Sequence, residues 1–440
     1  MTAIIVFIIL ALLLITGMPV SIALGLTVFT FLFAFTNVPM DSIALKLFTG
    51  IEKFEIMAIP FFILAGNFLT HGGVARRMIR FATSMVGHWY GGMGLAAVLA
   101  CALFAAISGS SPATVMAVGS ILIPAMVKQG YPAQFGVGSV ATAGGLGILI
   151  PPSIVMVMYS VATSGMVVTG PDGVQVLSAS IGSLFIAGVV PGLMLAAMLG
   201  GTTMYRAWKS GYPRMARASW RERLKAFRES VWGLMLIVII MGGIYGGIFT
   251  PTEAAAVSAV YAFVIATWVY KDIKLRDVPK VLLSSAAMSA MLLYIITNAV
   301  MFAFVLTSEQ IPQALSEWLV GLGLGQVGFL LAVNLILLVI GMVMEPSAIV
   351  LIMAPILYPV AVKLGVDPVH FGIMMVVNME IGLITPPVGL NLYVASSISR
   401  LGLTEVTKAT WPWLLTVLAF LAIITYVPDI VLFLPRLMGL

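Results

Sequence analysis

Charged side chains are scarce in this sequence. Asp, Glu, Lys and Arg together make up 9% of its 440 residues, whereas 61% of the residues are apolar. Such a chain cannot cover a globule of this size with polar surface, which excludes a soluble fold. Its apolar runs have helical length and no period-2 alternation, as in 54–69 and 281–306, which disfavours a β-barrel. We therefore predict an all-α polytopic membrane protein.

Cysteine and histidine are rarer still, with one and three residues. Cys101 stands alone in an apolar stretch, which excludes a disulfide framework and a thiolate metal site and predicts a small buried residue. His71, His88 and His370 lie at predicted span ends without a metal-ligand partner at i+3 or i+4, and we interpret them as interfacial. The sequence also lacks a G-x-S-x-G elbow and an H-E-x-x-H motif, so we do not expect an enzyme.

Prolines and glycines, by contrast, recur at matching positions in the two halves of the chain. The passage 111–152 is repeated at 345–387, so that Pro152 corresponds to Pro387 at an offset of 235 residues. In an apolar chain, interrupted segments at corresponding places of two halves indicate a transporter site built from broken helices.

The repetition divides the chain into repeats 1–205 and 231–440, joined by a basic cytoplasmic linker at 206–230. Each repeat is expected to contain spans, an amphipathic arm, a hairpin, a broken helix and a closing span. In the first repeat the spans are predicted at 3–89, with the arm at 74–89, the hairpin at 91–128, the broken helix at 133–165 and the closing span at 176–205. In the second repeat the spans are predicted at 231–306, the arm at 308–320, the hairpin at 326–363, the broken helix at 367–399 and the closing span at 408–434. We interpret the apolar start as a retained span with no soluble domain before it, because it lacks a basic n-region and a cleavage pattern.

The hairpins and the basic residues together predict the orientation. Each hairpin arm is shorter than about 20 residues and is interrupted at its middle, which predicts re-entry rather than a crossing. An odd number of crossings per repeat then makes the second repeat inverted. Because cytoplasmic loops are enriched in Lys and Arg, we place 206–228 in the cytoplasm. With this placement, only four of the 22 basic residues lie outside: Lys46, Lys53, Lys363 and Arg436.

In this orientation both termini are periplasmic, the first hairpin enters from the cytoplasm and the second enters from outside. The net charge of +6 is then an orientation signal, and we expect no nucleic-acid binding, because the basic residues have no aromatic platform. The segment 206–228 is also suited to contact with anionic membrane lipid, although nothing in it is specific for one lipid.

The two Pro-Pro pairs predict cation sites. A proline cannot donate to the carbonyl four residues earlier, so the pairs free the carbonyls of Gly147, Ile148, Gly382 and Leu383. Free carbonyls at mid-membrane are costly unless they line a cavity or bind something. Sodium, a hard cation that takes oxygen ligands, supplies what they lack. A single Pro-Pro would indicate a packing kink, but two matched copies beside polar hairpin tips favour binding sites.

Each break lies opposite a polar hairpin tip. The candidate side chains are Ser108, Ser110, Ser111 and Thr114 for the first, and Glu345, Ser347, Asn378 and Thr385 for the second. Helices that restart after Pro112 and Pro346 point their positive dipole ends into the membrane, where they suit a carboxylate. Glu345 and Glu380 are candidate intramembrane carboxylates and therefore candidate functional residues. Glu380 is equally compatible with a salt bridge or a water contact near an interface.

Several long motifs resemble one known family. AIPFFILAGNFLTHGG (58–73), AAISGSSPATVMAVGSILIPAM (105–126), GYPAQFGVGSVATAGGLGILIPPSIVMVMYS (130–160), GGIFTPTEAAAVSAVYA (246–262) and GLITPPVGLNLYV (382–394) are similar to the large membrane subunit of tripartite ATP-independent periplasmic (TRAP) transporters. The resemblance covers essentially the full length. It implies an ion-transporter-superfamily fold and a sodium-driven importer of organic acids in the bacterial inner membrane, with an elevator-like transport domain at about 91–165 plus 326–399.

The resemblance also implies partners: a periplasmic substrate-binding protein and a small four-helix membrane subunit, which we expect to be a separate chain. It implies about two or more sodium ions, one held by Ser108, Ser110, Ser111 and backbone around Gly147, Ile150 and Pro152, the other by Met344, Glu345, Ser347, Gly382, Thr385 and Pro387. The substrate should lie between the tips, near Ser111, Thr114, Ser153, Pro346, Ser347, Asn378 and Asn391.

The cargo and the transport mode stay open at this point. A C4-dicarboxylate and sialic acid are both reasonable substrates for such a family. A sodium/carboxylate symporter of the same superfamily that works without a binding protein is the nearest alternative. A channel and an intramembrane enzyme are further alternatives, and the broken helices at mid-membrane favour alternating access over a channel.

Overall fold

The chain is almost entirely helical in the computed structural model, which describes residues 2–36, 39–311, 314, 317, 323 and 325–439. Within these residues, eight helices are long and apolar enough to cross a membrane, or nine if one bent pair is a single span. The predicted all-α polytopic membrane fold is therefore confirmed. Two short antiparallel strands, β1 (Val167–Thr169) and β2 (Gln175–Leu177), form a hairpin that the sequence analysis did not predict.

The helices of the first half end where glycine and proline interrupt the apolar runs. Between the first two helices, Gly17 adopts the left-handed conformation (φ +81°) and Pro19 precedes the restart. A 3-10 turn at Phe54–Met57 leads into the fourth helix. The helices of this half are α1 (Thr2–Ile15), α2 (Val20–Phe35), α3 (Met40–Thr49), α4 (Ala58–His71), α5 (Val74–Val86), α6 (Gly92–Ser108), α7 (Ser111–Lys128), α8 (Ala133–Ala143), α9 (Leu146–Leu149), α10 (Ile154–Thr163) and α11 (Ile181–Lys209).

The helices of the second half follow the same order. Its first two helices begin with capping boxes, Ser219 with Glu222 and Thr250 with Glu253, which satisfy backbone donors at the helix start. The helices are α12 (Trp220–Tyr245), α13 (Pro251–Val264), α14 (Val278–Ser308), α15 (Gly325–Gly341), α16 (Pro346–Lys363), α17 (Pro368–Leu383), α18 (Leu390–Ser399), α19 (Leu403–Tyr426) and α20 (Pro428–Leu437). A π-helical segment, Ile265–Val269, extends α13, and a 3-10 turn, Leu275–Asp277, precedes α14. Most of the predicted arm at 308–320 lies outside the described residues.

Three predicted boundaries differ from the structure. The basic linker 206–230 is mostly helical, because α11 continues to Lys209 and α12 starts at Trp220, and long basic side chains can leave the membrane from helix ends. The closing span 176–205 starts only at Ile181, after strand β2. The closing span 408–434 is two helices, because Pro428 disfavours helical backbone at Val427 (φ −122°, ψ 75°).

The two halves pack into each other. Helix α2 packs on α14, and α4 packs on α13, which holds the place in the second half that α2 holds in the first. In the same manner α10, after the first break, packs on the second hairpin helix α16, while α18, after the second break, packs on α7 of the first hairpin. Each hairpin is therefore completed by the other half of the chain.

The outer surface of the helices is apolar. Ile15 is 82% exposed and Leu283 is 72% exposed, although both belong to helices whose other faces are buried. Many exposed apolar side chains along helices of spanning length are typical of a surface that faces lipid. Inside, Trp413 is fully buried where α19 meets α8 and α11, and its indole N–H donates to the Thr203 hydroxyl at 2.8 Å.

Candidate transport site

Both predicted helix breaks are present. Helices α9 and α10 are bent by 41° at Pro151-Pro152, and Pro386-Pro387 lies between α17 and α18; both Pro-Pro peptide bonds are cis. The Ser153 hydroxyl donates to the Ile148 carbonyl at 2.5 Å and accepts from the Met156 backbone N–H at 3.3 Å. One of the carbonyls that the prolines were expected to free is therefore occupied by the side chain of Ser153.

The second break uses a hydroxyl in a related way. The Thr385 hydroxyl donates to the Ile381 carbonyl at 2.6 Å, and the Thr385 backbone N–H donates to the Gly382 carbonyl at 3.3 Å. The Gly382 carbonyl, which was expected to be free, therefore has a partner as well. The backbone N–H of Val388 donates to the Met342 carbonyl of the second hairpin at 3.0 Å. This segment is thereby attached to the hairpin tip.

The first hairpin tip is a compact cluster of oxygen atoms. Gly109 ends α6 in the left-handed conformation (φ +59°), which turns the chain toward α7. The hydroxyls of Ser108 and Thr114 are 2.8 Å apart, and the Thr114 hydroxyl donates to the Ser110 carbonyl at 2.8 Å. A Cβ atom at Gly147 would lie 2.7 Å from the Ser110 carbonyl oxygen, so the first break packs directly on this tip. The oxygen atoms of this tip are thus hydrogen-bonded to one another.

The second tip repeats this contact with a different cap. A Cβ atom at Gly382 would lie 2.5 Å from the Gly341 carbonyl oxygen. Glu345 caps α16: its carboxylate accepts from the Ala348 backbone N–H at 3.2 Å and from the Ser347 hydroxyl at 2.8 Å. The N-terminal residue of α7, in contrast, is preceded by Ser110, whose side chain makes no capping bond. The two helix N-termini are therefore electrostatically different.

A cavity of about 310 Å³ lies between the two tips. Five of the predicted site residues line it, together with Ile148 and Leu383 from the two breaks; these five are Ser110, Ser111, Glu345, Pro346 and Ser347. Met288, Met291 and Leu292 of α14 form another wall. Sequence reasoning missed this wall, because these side chains lie in an apolar stretch of α14 and nothing distinguishes them from packing residues.

Four predicted substrate ligands do not line this cavity: Thr114, Ser153, Asn378 and Asn391. The Asn378 side-chain amide donates to Asn334 of α15, at 2.9 Å to its side-chain oxygen. The Asn391 amide donates to the Ser111 hydroxyl at 2.7 Å and to the Ala141 carbonyl at 3.0 Å. These amides join helices, and Asn391 positions Ser111 rather than facing the cavity.

Glu380 lies away from the cavity and is fully buried. Among the described residues, its carboxylate oxygens have neither a hydrogen-bond partner nor an ion-pair partner. His370 is also buried, with its Nε2 atom 2.9 Å from the Ile424 carbonyl oxygen, and it lies in the first turn of α17, at a helix end as expected. Cys101 is buried, as predicted.

A lysine connects the start of the α4 segment to the helix after the first break. The Lys53 ammonium donates to the carbonyls of Val161 and Ser164 at 3.2 Å each, at the C-terminal end of α10. Burial lowers the pKa of Lys53, and the charge of Glu55 opposes this shift in part. Free carbonyls at a helix C-terminus attract a cation, which explains the position of this side chain.

This arrangement defines a class of protein: a helical membrane transporter, in which broken helices and hairpin tips from both halves enclose a largely apolar cavity that carries a few polar groups at the tips. The crystal structure of the YdaH transporter of Alcanivorax borkumensis has the same fold. It aligns with 88% of this chain and 88% of its own length, at a TM-score of 0.62 and 15% identity.

Residues 7–430 match the family described as tripartite ATP-independent periplasmic transporter, DctM component, and the chain belongs to this family. It is 71% identical over 440 residues, all of both chains, to the C4-dicarboxylate TRAP transporter large permease protein DctM of Rhodobacter capsulatus. It is 53% identical over 418 residues, 95% of both chains, to the protein of the same name from Pseudomonas aeruginosa. The resemblance that the motifs indicated is confirmed, and these relatives are transporters.

Proposed function

We propose that this chain is the large permease subunit of a sodium-coupled importer of a C4-dicarboxylate in the bacterial inner membrane. The observation that carries the proposal is the cavity between the tips, because both hairpins and both breaks contribute to it. Of the two cargoes that the sequence left open, the C4-dicarboxylate is favoured by the names of the relatives at 71% and 53% identity. Its partners are a small membrane subunit and a periplasmic binding protein, as expected for the family.

The two tips have different tasks in this proposal. One substrate carboxylate binds at the uncapped N-terminus of α7, where backbone N–H groups and the helix dipole favour an anion. The N-terminus of α16 is already capped by Glu345, whose carboxyl oxygens occupy a backbone donor and repel a second carboxylate. A sodium ion at the second tip would offset that repulsion. Sodium and substrate therefore raise each other's affinity, as linkage requires.

Another sodium ion is proposed at the oxygen cluster of the first hairpin tip. The hydroxyls of Ser108 and Thr114 and the carbonyl of Ser110 are within hydrogen-bonding distance of one another, and the backbone of Gly147 packs against them. An ion there would hold the tip to the break and so keep the α7 N-terminus facing the cavity. The loaded body, 91–165 plus 326–399, then moves across the membrane against the remaining helices in an elevator mechanism, with both termini in the periplasm.

Reconstituted uptake tests the proposal. The chain is placed in proteoliposomes with its small subunit, and uptake of radiolabelled succinate delivered by the binding protein is measured against external sodium. Thr114→Val, which removes one hydroxyl of this cluster, and Pro152→Ala should both shift the sodium titration to higher concentrations. Ser120→Ala, an exposed hydroxyl on the same helix α7, should not. An unchanged sodium titration in both site variants would overturn the sodium assignment.

Two further arms separate the alternatives. Uptake that is equally fast without the binding protein would instead support a symporter that works alone. Uptake that never exceeds the external succinate concentration under a sodium gradient would instead support a channel.

A further inference from the structure

Four arginines line a groove of about 760 Å³ beside the hairpin helix α7. Arg76, Arg77 and Arg80 come from α5, and Arg228 comes from α12. None of these residues contributes to the cavity between the hairpin tips. They lie on the side that the distribution of basic residues assigns to the cytoplasm.

Two of these arginines are already neutralised. Arg77 forms an ion pair with Asp272 at 2.5 Å, and its guanidinium lies 3.7 Å from the centroid of the Tyr270 ring. Arg80 forms an ion pair with Glu229 at 2.7 Å. Arg76 and Arg228 are exposed, and within the described part of the chain they form no ion pair. The groove therefore keeps two positive charges for a ligand.

The rim of the same groove is apolar. Trp232 is 45% exposed, Val269 is 41% exposed and Ile121 is 36% exposed. Tryptophan is typical of the boundary between lipid tails and headgroups. A free phosphate ion would pair with the arginines and leave this apolar surface uncovered. A phospholipid covers both parts, because its phosphate is joined to acyl chains.

We propose that this groove binds one anionic phospholipid, with its phosphate on Arg76 and Arg228 and an acyl chain over Ile121, Trp232 and Val269. The ligand would connect three elements, since Ile121 belongs to hairpin helix α7 while the arginines belong to α5 and α12. Arginine is suited to this role because its planar guanidinium donates two parallel hydrogen bonds to a phosphate.

The test is a lipid titration of the purified full-length chain, with bound lipid counted by native mass spectrometry. Phosphatidylglycerol is compared with phosphatidylcholine. The double variant Arg76→Gln/Arg228→Gln should bind phosphatidylglycerol roughly 25-fold more weakly, because each arginine near a lipid surface contributes about fivefold. Arg76→Lys/Arg228→Lys should bind with intermediate affinity, because lysine keeps the positive charge but cannot donate the two parallel hydrogen bonds. Arg436→Gln, which removes an arginine paired with Asp429 on α20, serves as the control and should bind normally.

Three outcomes would overturn the proposal. The double Gln variant could bind phosphatidylglycerol as tightly as the unmodified chain while its melting temperature without added lipid is unchanged. Inorganic phosphate could displace phosphatidylglycerol at equal concentration, which would make the groove a site for a free anion. The small membrane subunit could displace the lipid, which would make the groove a protein interface.

Discussion

Gly145 and Glu380 occupy matching positions in the two repeats, at an offset of 235 residues, and they contact each other in the buried interior. A Cβ atom at Gly145 would overlap the side chain of Glu380. The first repeat therefore has glycine at this position and the second has glutamate, and the Glu380 side chain occupies the space that a side chain at position 145 would need. The contact also joins α17 to the turn between α8 and α9, so it lies between the two broken helices.

This relationship predicts a strong coupling between the two residues. Gly145→Ala should lower the stability by about 1–3 kcal/mol, because the new methyl group meets a buried side chain. Glu380→Ala should relieve the overlap, so the double variant should be less destabilised than the two single effects added together. Thermal unfolding in detergent measures the stability of the unmodified chain, the two single variants and the double variant.

Glu380→Gln separates size from charge. If size alone causes the coupling, Gly145→Ala should destabilise the Glu380→Gln background by as much as the unmodified background. Additive effects of Gly145→Ala and Glu380→Ala would contradict the predicted contact.

The glycines at the two breaks should tolerate no side chain. Gly147→Ala would place its Cβ 2.7 Å from the Ser110 carbonyl oxygen, and Gly382→Ala would place its Cβ 2.5 Å from that of Gly341. Each change pushes a break away from its hairpin tip, so uptake should fall and require more sodium. Gly201→Ala on α11, whose Cβ would meet nothing within 4 Å, is the matched control. Normal sodium-dependent uptake by both break variants would refute the contact model of these sites.

The amide of Asn391 should stabilise the packing of the two halves. Its replacement in Asn391→Ala removes the bonds to Ser111 and Ala141 and leaves two buried acceptors with fewer partners, at a cost of about 1–3 kcal/mol. Ser397→Ala, an exposed hydroxyl on the same helix α18, should change stability little. Equal melting temperatures for these two variants would show that the amide bonds contribute nothing.

Lys53 predicts a pH dependence. Burial lowers its pKa in the folded protein below the ordinary value of 10.5, so between these two pKa values the unfolded chain binds more protons than the folded chain. Stability from this group therefore rises as the pH increases through that window. In Lys53→Met this increase in stability should be missing. The measurement is the difference in unfolding stability between the unmodified chain and Lys53→Met, which should change from pH 7 to pH 10. A difference that is independent of pH would contradict the shift.

The orientation can be tested with cysteine labelling. Cys101 is buried and should give no background with a membrane-impermeant maleimide. Asp172→Cys, in the exposed loop between β1 and β2, should be labelled from the periplasmic side. Ser210→Cys, in the exposed segment after α11, should be labelled only after the membrane is opened. The reverse pattern would invert the proposed topology.

Much of the fold could be predicted because proline and glycine act on their own backbone. The hairpins expected at 91–128 and 326–363 correspond closely to α6 with α7 and to α15 with α16. The break at Val427-Pro428 follows the same rule and was missed, because the apolar run continues through it. The β1–β2 hairpin was missed because its strands are only three residues long.

The candidate site was less predictable. Ser111 and Asn391 are 280 positions apart, and no local pattern shows that one positions the other. Met288 and Met291 likewise become cavity residues only because α14 packs beside both tips.

By itself, the sequence determined a duplicated helical membrane protein whose two Pro-Pro breaks lie opposite polar hairpin tips. Those features depend on composition and on residues close in the chain. Only the tertiary structure decided which groups remain free for a ligand. Ser153 occupies the Ile148 carbonyl and Glu345 caps α16, whereas the N-terminus of α7 has no side-chain cap. Hydrogen-bond partners depend on distance and direction in the folded chain, and a pattern of residues does not contain them.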